Sequence, residues 1–346
     1  MPAQALTLQT LTMVTISTGW AVDIDGTVLH TIDGGQHWTD VTPPNFQTYS
    51  LEPTAFLRGQ EAWVVGAPEN AGALAGLSVV FHTADGGRTW DRRGNVYQMD
   101  PGQLQMLDSD HGWFTTTGQC TSQCTDQGMR ISVTLDGGQH WRVVMNSDPL
   151  KPTAPSAIPP RCGKHGPTFD NLVTGWVTAR CIGGRPFFFT TGDGGQTWTI
   201  RTLSPPPGFS ATAFADCFCD VAAPVFVGPS TGALTLSITG PDGTARSFLY
   251  TTTSGGNSWV PHSLPQVDPV ALSMVSSEDM YVLQTGNLYR SRDGARSWTQ
   301  VSRDPVLAGA TVDFLSVDSG FGLGSSLART LDGGRNWTVL TPRLAG

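Results

Sequence analysis

Short runs in which apolar and polar residues alternate recur along the whole chain, each closed off by Gly, Asp, Ser or Thr. The first stretch shows the scheme: LTMVTI, WAVDI, TVLHTI and WTDVTP are separated by STG, DGT and DGGQH. A period of two reads as half-buried strands joined by tight turns. No segment keeps the i, i+3, i+4, i+7 apolar spacing of a helix, and none approaches the roughly 18 consecutive apolar residues of a membrane-spanning one.

The turns repeat as well as the strands. The pattern [ST]-x-D-G-G-x-x-W occurs as TIDGGQHW at Thr31–Trp38, TADGGRTW at Thr83–Trp90, TLDGGQHW at Thr134–Trp141 and TGDGGQTW at Thr191–Trp198. It continues as TTSGGNSW at Thr252–Trp259, SRDGARSW at Ser291–Trp298 and TLDGGRNW at Thr330–Trp337. Successive starts lie 52, 51, 57, 61, 39 and 39 residues apart, the span of a four-stranded unit plus its loops. A weaker repeat precedes the boxes: Trp20, Trp63, Trp113 and Trp176 each open an apolar run, with Tyr281 and Phe321 at the same place in the last two units. These four tryptophans and the seven of the boxes account for all 11 in the chain, so none is left for a binding pocket.

The box composition follows from turn chemistry. A carboxylate at Asp33, Asp85, Asp136, Asp193, Asp293 or Asp332 can accept from turn N–H groups. The glycine pair supplies positive φ, and the Trp buries its ring against a neighbouring sheet. Ser254 replaces the acid in the fifth box and Ala295 the second glycine in the sixth, so those turns should be less tightly specified. The expectation is one all-β domain over 1–346. It is a seven-bladed β-propeller of four-stranded antiparallel blades, with a box in each third-to-fourth strand turn. The blades fall at about 11–42, 53–95, 104–147, 168–204, 210–264, 269–302 and 310–341. The last blade takes all four strands from the C-terminal end, so no strand swap is required, and residues 1–10 pad the first blade.

Composition agrees. Charged residues make up 14% of the chain against roughly 25% in ordinary soluble domains, while Gly (41) and Pro (24) are abundant. The net charge of −8 argues against nucleic acid as a partner. The start, MPAQALTLQT, lacks the basic and apolar regions of a signal peptide, so either the protein is made without one or a leader has been trimmed. Of six cysteines, Cys120–Cys124 and Cys162–Cys181 read as local disulfides; Cys217 and Cys219, in a tight C-x-C, are left open. Disulfides favour an extracellular or cell-envelope location.

These boxes resemble those of the Asp-box (BNR) repeat proteins, and the pattern G-W-x-V … [ST]-x-D-G-G-x-x-W is similar to that of photosystem II stability/assembly-factor-like propellers. The resemblance covers about Gly19 to Trp337. It implies a protein that holds another protein without chemistry of its own, and it says little more, because sialidases, xyloglucanases and sortilin-type receptors carry the same box.

A binding surface is expected at the end opposite the boxes, where the longest connections fall at about 66–77, 117–129, 182–186, 228–246 and 146–168. Between 161 and 185, Arg161, Lys164, His165, Arg180 and Arg185 face a single acid, Asp170. That is a candidate grip for an acidic partner surface. Tyr97, Gln98 and Arg303 open toward the same end with weaker claims.

The enzyme readings fare worse. The Arg-Ile-Pro segment of sialidases is missing, and Arg161, Arg180 and Arg185 would form an arginine triad only by coincidence. A glycosidase needs two carboxylates about 5–10 Å apart, and Glu69, Asp100 and Asp170 show no pairing. The histidines stand in no motif, and the DGG strings lack the alternating acids of an EF-hand. The reading is a monomeric, cofactor-free, metal-free module that binds protein or glycan through the loop-rich face of blades 2 to 5. The alternative is a carbohydrate-active hydrolase working in the central opening.

Overall fold

The structure, a computed structural model, describes residues 5–44, 46–47, 54–68, 77–97, 102–118, 127–147, 158–160, 162–181, 185–215, 217–240, 243–265 and 271–345. It is all-β, with a five-residue helix at Ala211–Ala215 and a 3-10 turn at Pro305–Leu307 as the helical elements among the described residues. The strands form antiparallel four-stranded groups of the kind that builds a β-propeller, and every box closes the hairpin between the last two strands of a group.

One hub holds each box. The hydroxyl of the leading Ser or Thr accepts the N–H of the second glycine position at 2.8–3.1 Å in all seven. In the six acidic boxes that hydroxyl donates to the Asp Oδ1 at 2.8–3.0 Å. The first glycine N–H then bonds the turn between the first two strands of the same group, at 2.8–3.2 Å each time, so both turns lie at one end of the sheet.

The variant boxes keep this backbone pattern. Ser254 Oγ accepts the Ser258 N–H at 3.0 Å, and the Ala295 N–H reaches Ser291 Oγ at 2.9 Å with Ala295 at φ +69°. Of the two, only the alanine box departs at its ring. Five box tryptophans donate Nε1–H to the second glycine's carbonyl, and Trp90 donates to Val41 O. Trp298 Nε1, in the alanine box, is buried with no partner.

The core lies between groups, not within one sheet. Trp63 of the second group packs with Leu104, Met106 and Phe114 of the third, and Trp113 of the third stacks on Phe169 of the fourth at 3.8 Å. Phe321 of the seventh packs with Leu8, Ala21 and Trp38 of the first. Polar latches cross the same seams: Trp20, Trp63 and Trp113 donate to Arg58 O, Gly137 O and Gly194 O of the next group, and Tyr281 donates to Val317 O.

Three expectations need correction. Residues Leu8–Met13 are a paired strand of the first group, not padding. The chain also closes with an unforeseen clasp, in which Arg343–Leu344 run parallel to His37–Asp40 on the outer edge of the first group and Leu6 N–H bonds Pro342 O at 3.0 Å. The long loop placed at 228–246 is mostly a hairpin: Thr231–Thr239 and Ala245–Thr252 pair along their length, because Leu234, Leu236 and Ile238 alternate with small polar residues across a short turn. Finally, the fourth group starts at Gly163, where its first strand Gly163–Phe169 pairs with Gly175–Cys181. The string GKHGPTF is too polar and too rich in Gly and Pro to read as a strand.

Candidate functional site

The correction at Gly163 puts Lys164 and His165 on a strand. Residues 163–165 pair with 178–180, and the end of that second strand joins the fifth group through Arg180↔Asp220 and Cys181↔Cys219. The two groups thereby share one nine-stranded sheet. Gly194 N–H bonds Val173 O at the other end of the strand, so this joint lies at the end opposite the boxes.

Two disulfides brace the joint. Cys162–Cys181 staples the first two strands of the fourth group across 19 residues of sequence, a loop worth about 3 kcal/mol in chain entropy. Cys217–Cys219 sits directly across from it on the adjoining strand. The four cysteines are buried. Cys120 and Cys124 lie outside the described residues, as do Arg161, Gln98, the Tyr97 side chain and most of the long connections.

The basic residues meet different fates. Lys164 is drawn inward: its Nζ donates to Gln127 O at 2.5 Å and Cys162 O at 3.2 Å, and lies 5.5 Å from the Phe187 ring centroid. Its charge holds the segment near Gln127 in place and is withdrawn from solvent. His165 Nε2 pairs with Asp220 Oδ1 at 2.8 Å with both side chains about two-fifths exposed, a contact worth at most about 1 kcal/mol. The exposed Arg180 guanidinium lies over the Phe218 ring at 5.3 Å, and has no carboxylate partner among the described residues. A cation at that distance from an aromatic ring gains about 0.5–1 kcal/mol without using its N–H donors.

Arg185 stands apart from this cluster. With Arg201 it borders a cavity of about 220 Å³ between the outer strand of the fourth group and the crossover to the fifth, floored by Leu203 and Phe214. Arg303 ends the outer strand Thr299–Arg303 of the sixth group, paired with Asn287, away from the joint. A larger groove of about 430 Å³ between the sixth and seventh groups carries Arg290, Arg292 and Arg335. There Arg290 is held by Asp279 Oδ1 at 2.5 Å, and Arg335 donates to Asp332 O at 2.8 Å. Among the described residues no group of three or more His, Cys, Asp or Glu gathers as a metal site would require. Asp220, Phe218 and Arg201 were missed in the sequence, although the first two sit within the string CFCD.

Seven Asp-box, or BNR, motifs sit on propeller-type sheets, and the chain is similar to the photosystem II assembly-factor propellers. A family model described as photosynthesis system II assembly factor YCF48 matches residues 2–158. The chain is 28% identical over 133 residues to the photosystem II stability/assembly factor HCF136, chloroplastic, of Arabidopsis thaliana, covering 37% of this chain and 28% of that one. It is 27% identical over 127 residues to a photosystem II assembly lipoprotein of Synechococcus, covering 36% and 33%. The match thus spans about a third of the length of the curated relatives. Among solved structures, a YCF48 bound to D1 peptide superposes with a TM-score of 0.56 at 20% identity, over 96% of this chain and 95% of that one. YCF48 from Cyanidioschyzon merolae gives 0.60 at 19%, over 95% and 97%. A GH74 xyloglucanase from Xanthomonas campestris gives 0.61 at 13%, over 96% of this chain and 53% of that one. Likeness at such identities is likeness of fold.

Proposed function

We propose that residues 1–346 form a single seven-bladed propeller that acts as a non-catalytic assembly module, docking a protein partner on the end opposite the boxes. The single observation that carries this reading is the joint between the fourth and fifth groups. There Arg180 lies over Phe218 beside the His165–Asp220 pair, on a sheet whose first two fourth-group strands are stapled by Cys162–Cys181. An exposed arginine held at a strand joint suits recognition of acidic groups on a protein surface. The assembly-factor relatives support the same reading, and so does the solved YCF48 with its bound peptide. Arg180 and His165 carry the proposed surface, with Arg161, Gln98 and Tyr97 assigned to it by sequence position; Lys164 serves it only by bracing the strand. The buried disulfides favour an oxidising compartment such as the cell envelope or the exterior.

The test places a photo-crosslinking residue at position 180, and in a second protein at position 36 on the box end. Discrete adducts to one protein from position 180 and none from position 36 are expected. Adducts from position 36 alone would overturn the assignment of faces. Arg180→Glu should lower capture of that protein about tenfold or more with an unchanged Tm, as loss of a charge-assisted contact does.

A further inference from the structure

The outer edges of the four-stranded groups differ in what covers them. On the first group the edge strand His37–Asp40 is taken up by the chain's own Arg343–Leu344, with Ala345 N–H bonding Trp38 O at 2.8 Å and Leu344 packed against the adjoining core. On the fourth group the edge strand is the two residues Thr199–Ile200, and it pairs with Phe187–Thr191 alone. Beyond it the chain runs on through Arg201 to Pro205 without regular structure, then turns back at Ala211–Ala215. Between these segments lies the 220 Å³ cavity.

Its lining is apolar with a basic rim. Leu203 and Phe214 are buried at its floor, and Ile200 beside it is half-exposed. Arg185 and Arg201 border it, and no acid lines it among the described residues. Arg201 Nε is tied to Thr190 Oγ1 at 3.1 Å, which holds that side chain along the edge. Arg185 has no carboxylate partner among the described residues. The wall is anchored from behind by Tyr250, whose hydroxyl donates to Ser204 O at 2.6 Å.

We propose that this groove binds a short extended peptide segment of the partner, seating one aliphatic side chain over Leu203 and Phe214 and a neighbouring carboxylate against Arg185 and Arg201. The inference rests on the docking reading above and names a second, separate point of contact. An extended segment laid along an outer edge reproduces what the C-terminal Arg343–Leu344 does on the first group, and strand addition supplies backbone bonds while the cavity selects the side chain. The carboxylate is that of an acidic side chain, because an extended segment laid along the edge presents side chains to the cavity.

The experiment uses the full chain and a fluorescein-labelled peptide, Gly-Ser-Gly-Leu-Asp-Glu, followed by fluorescence anisotropy. One arm carries an amidated C-terminus. Another keeps the free terminus but replaces Asp-Glu by Asn-Gln, which separates side-chain from terminal carboxylate. Saturable binding of the amidated peptide is expected, weakened about tenfold or more by Arg185→Glu with Arg201→Glu, a loss on the scale of charge-assisted bonds. Binding of the Asn-Gln peptide alone would overturn the proposal. Ala211→Trp, which fills the groove from an exposed position, should abolish it with an unchanged Tm. Arg180→Glu should leave it intact. Binding that survives both groove substitutions, or that is lost with Arg180→Glu alone, would overturn the groove while leaving the docking face in place. Absence of binding by every peptide would overturn it too, whatever position 180 crosslinks.

Discussion

The two ends of the sheets obey different rules. At the box end the same hydroxyl, glycine and backbone contacts recur in every group within a few tenths of an ångström. At the other end the described residues vary from group to group: the fourth and fifth are joined beside a disulfide, and the fifth extends into a long hairpin. A repeat that must close a turn and bury a ring against its neighbour tolerates little change, because each box serves two packing surfaces. The free end has no such duty and is where recognition can diverge.

The largest effects should come from the seams on which both ends depend. Trp63 is fully buried, packs on the third group and donates to Gly137 O at 3.0 Å. Trp63→Ala should cost about 3–5 kcal/mol, as large-to-small core changes do, read as a fall in the urea midpoint. Arg180→Glu should leave that midpoint unchanged. If the two variants lost similar stability, the separation of a structural end from a recognition end would fail.

Within a box, the hub and the carboxylate can be ranked. Thr134 is buried, and its hydroxyl is the partner of the buried Gly138 N–H at 2.8 Å. Thr134→Val strands that donor and should cost about 1–3 kcal/mol. Asp136 accepts from Thr134 Oγ1 and the His140 N–H, groups near enough to solvent for water to replace much of the loss. Asp136→Ala should therefore cost less, about 1 kcal/mol. An unchanged Tm for Asp136→Ala would remove the structural role assigned to the box acids.

Acid should weaken the box end selectively. Hydrogen bonds from the Thr89 side chain and N–H hold the Asp85 carboxyl down to about 2, and those from Ser297 do the same for Asp293. An unfolded Asp titrates near about 4. The stability these groups contribute is complete above that value and is lost as pH falls through about 2. Thermal melts at stepped pH should show this decline, and Asp85→Asn with Asp293→Asn should flatten it. The fifth box, with Ser254, has no acid to titrate and should not share in it.

Why one end was legible and the other was not follows from the same contrast. The boxes and the Gly-Trp openings are short, local patterns whose contacts lie within a few residues or one group away, so alternation and turn residues were enough to place them. Arg180 could be singled out as a charge, but its aromatic support from Phe218 and the joining of Cys181 to Cys219 depend on a register between strands 38 residues apart. Lys164 looked like a surface cation because nothing nearby in sequence shows that Gln127 O would receive it. The clasp was hidden for the same reason: Arg343 meets His37 from the far end of the chain.

The smallest effect tests how exact a box must be. Ala295 occupies φ +69°, where a side chain costs about 1–2 kcal/mol relative to glycine. Its methyl is nevertheless buried beside Ala233, Leu249, Met274 and Met280, which contributes about 0.8 kcal/mol. Glycine would also regain chain entropy on unfolding, at about 0.4–1 kcal/mol. The terms nearly cancel, so Ala295→Gly should shift unfolding stability by less than about 1 kcal/mol. A larger gain would mean that the sixth box carries uncompensated backbone strain. A larger loss would mean that the methyl fills a gap left by the small Ala233, which stands where other groups carry Trp, Tyr or Phe, and that the seam between the fifth and sixth groups was adjusted around it.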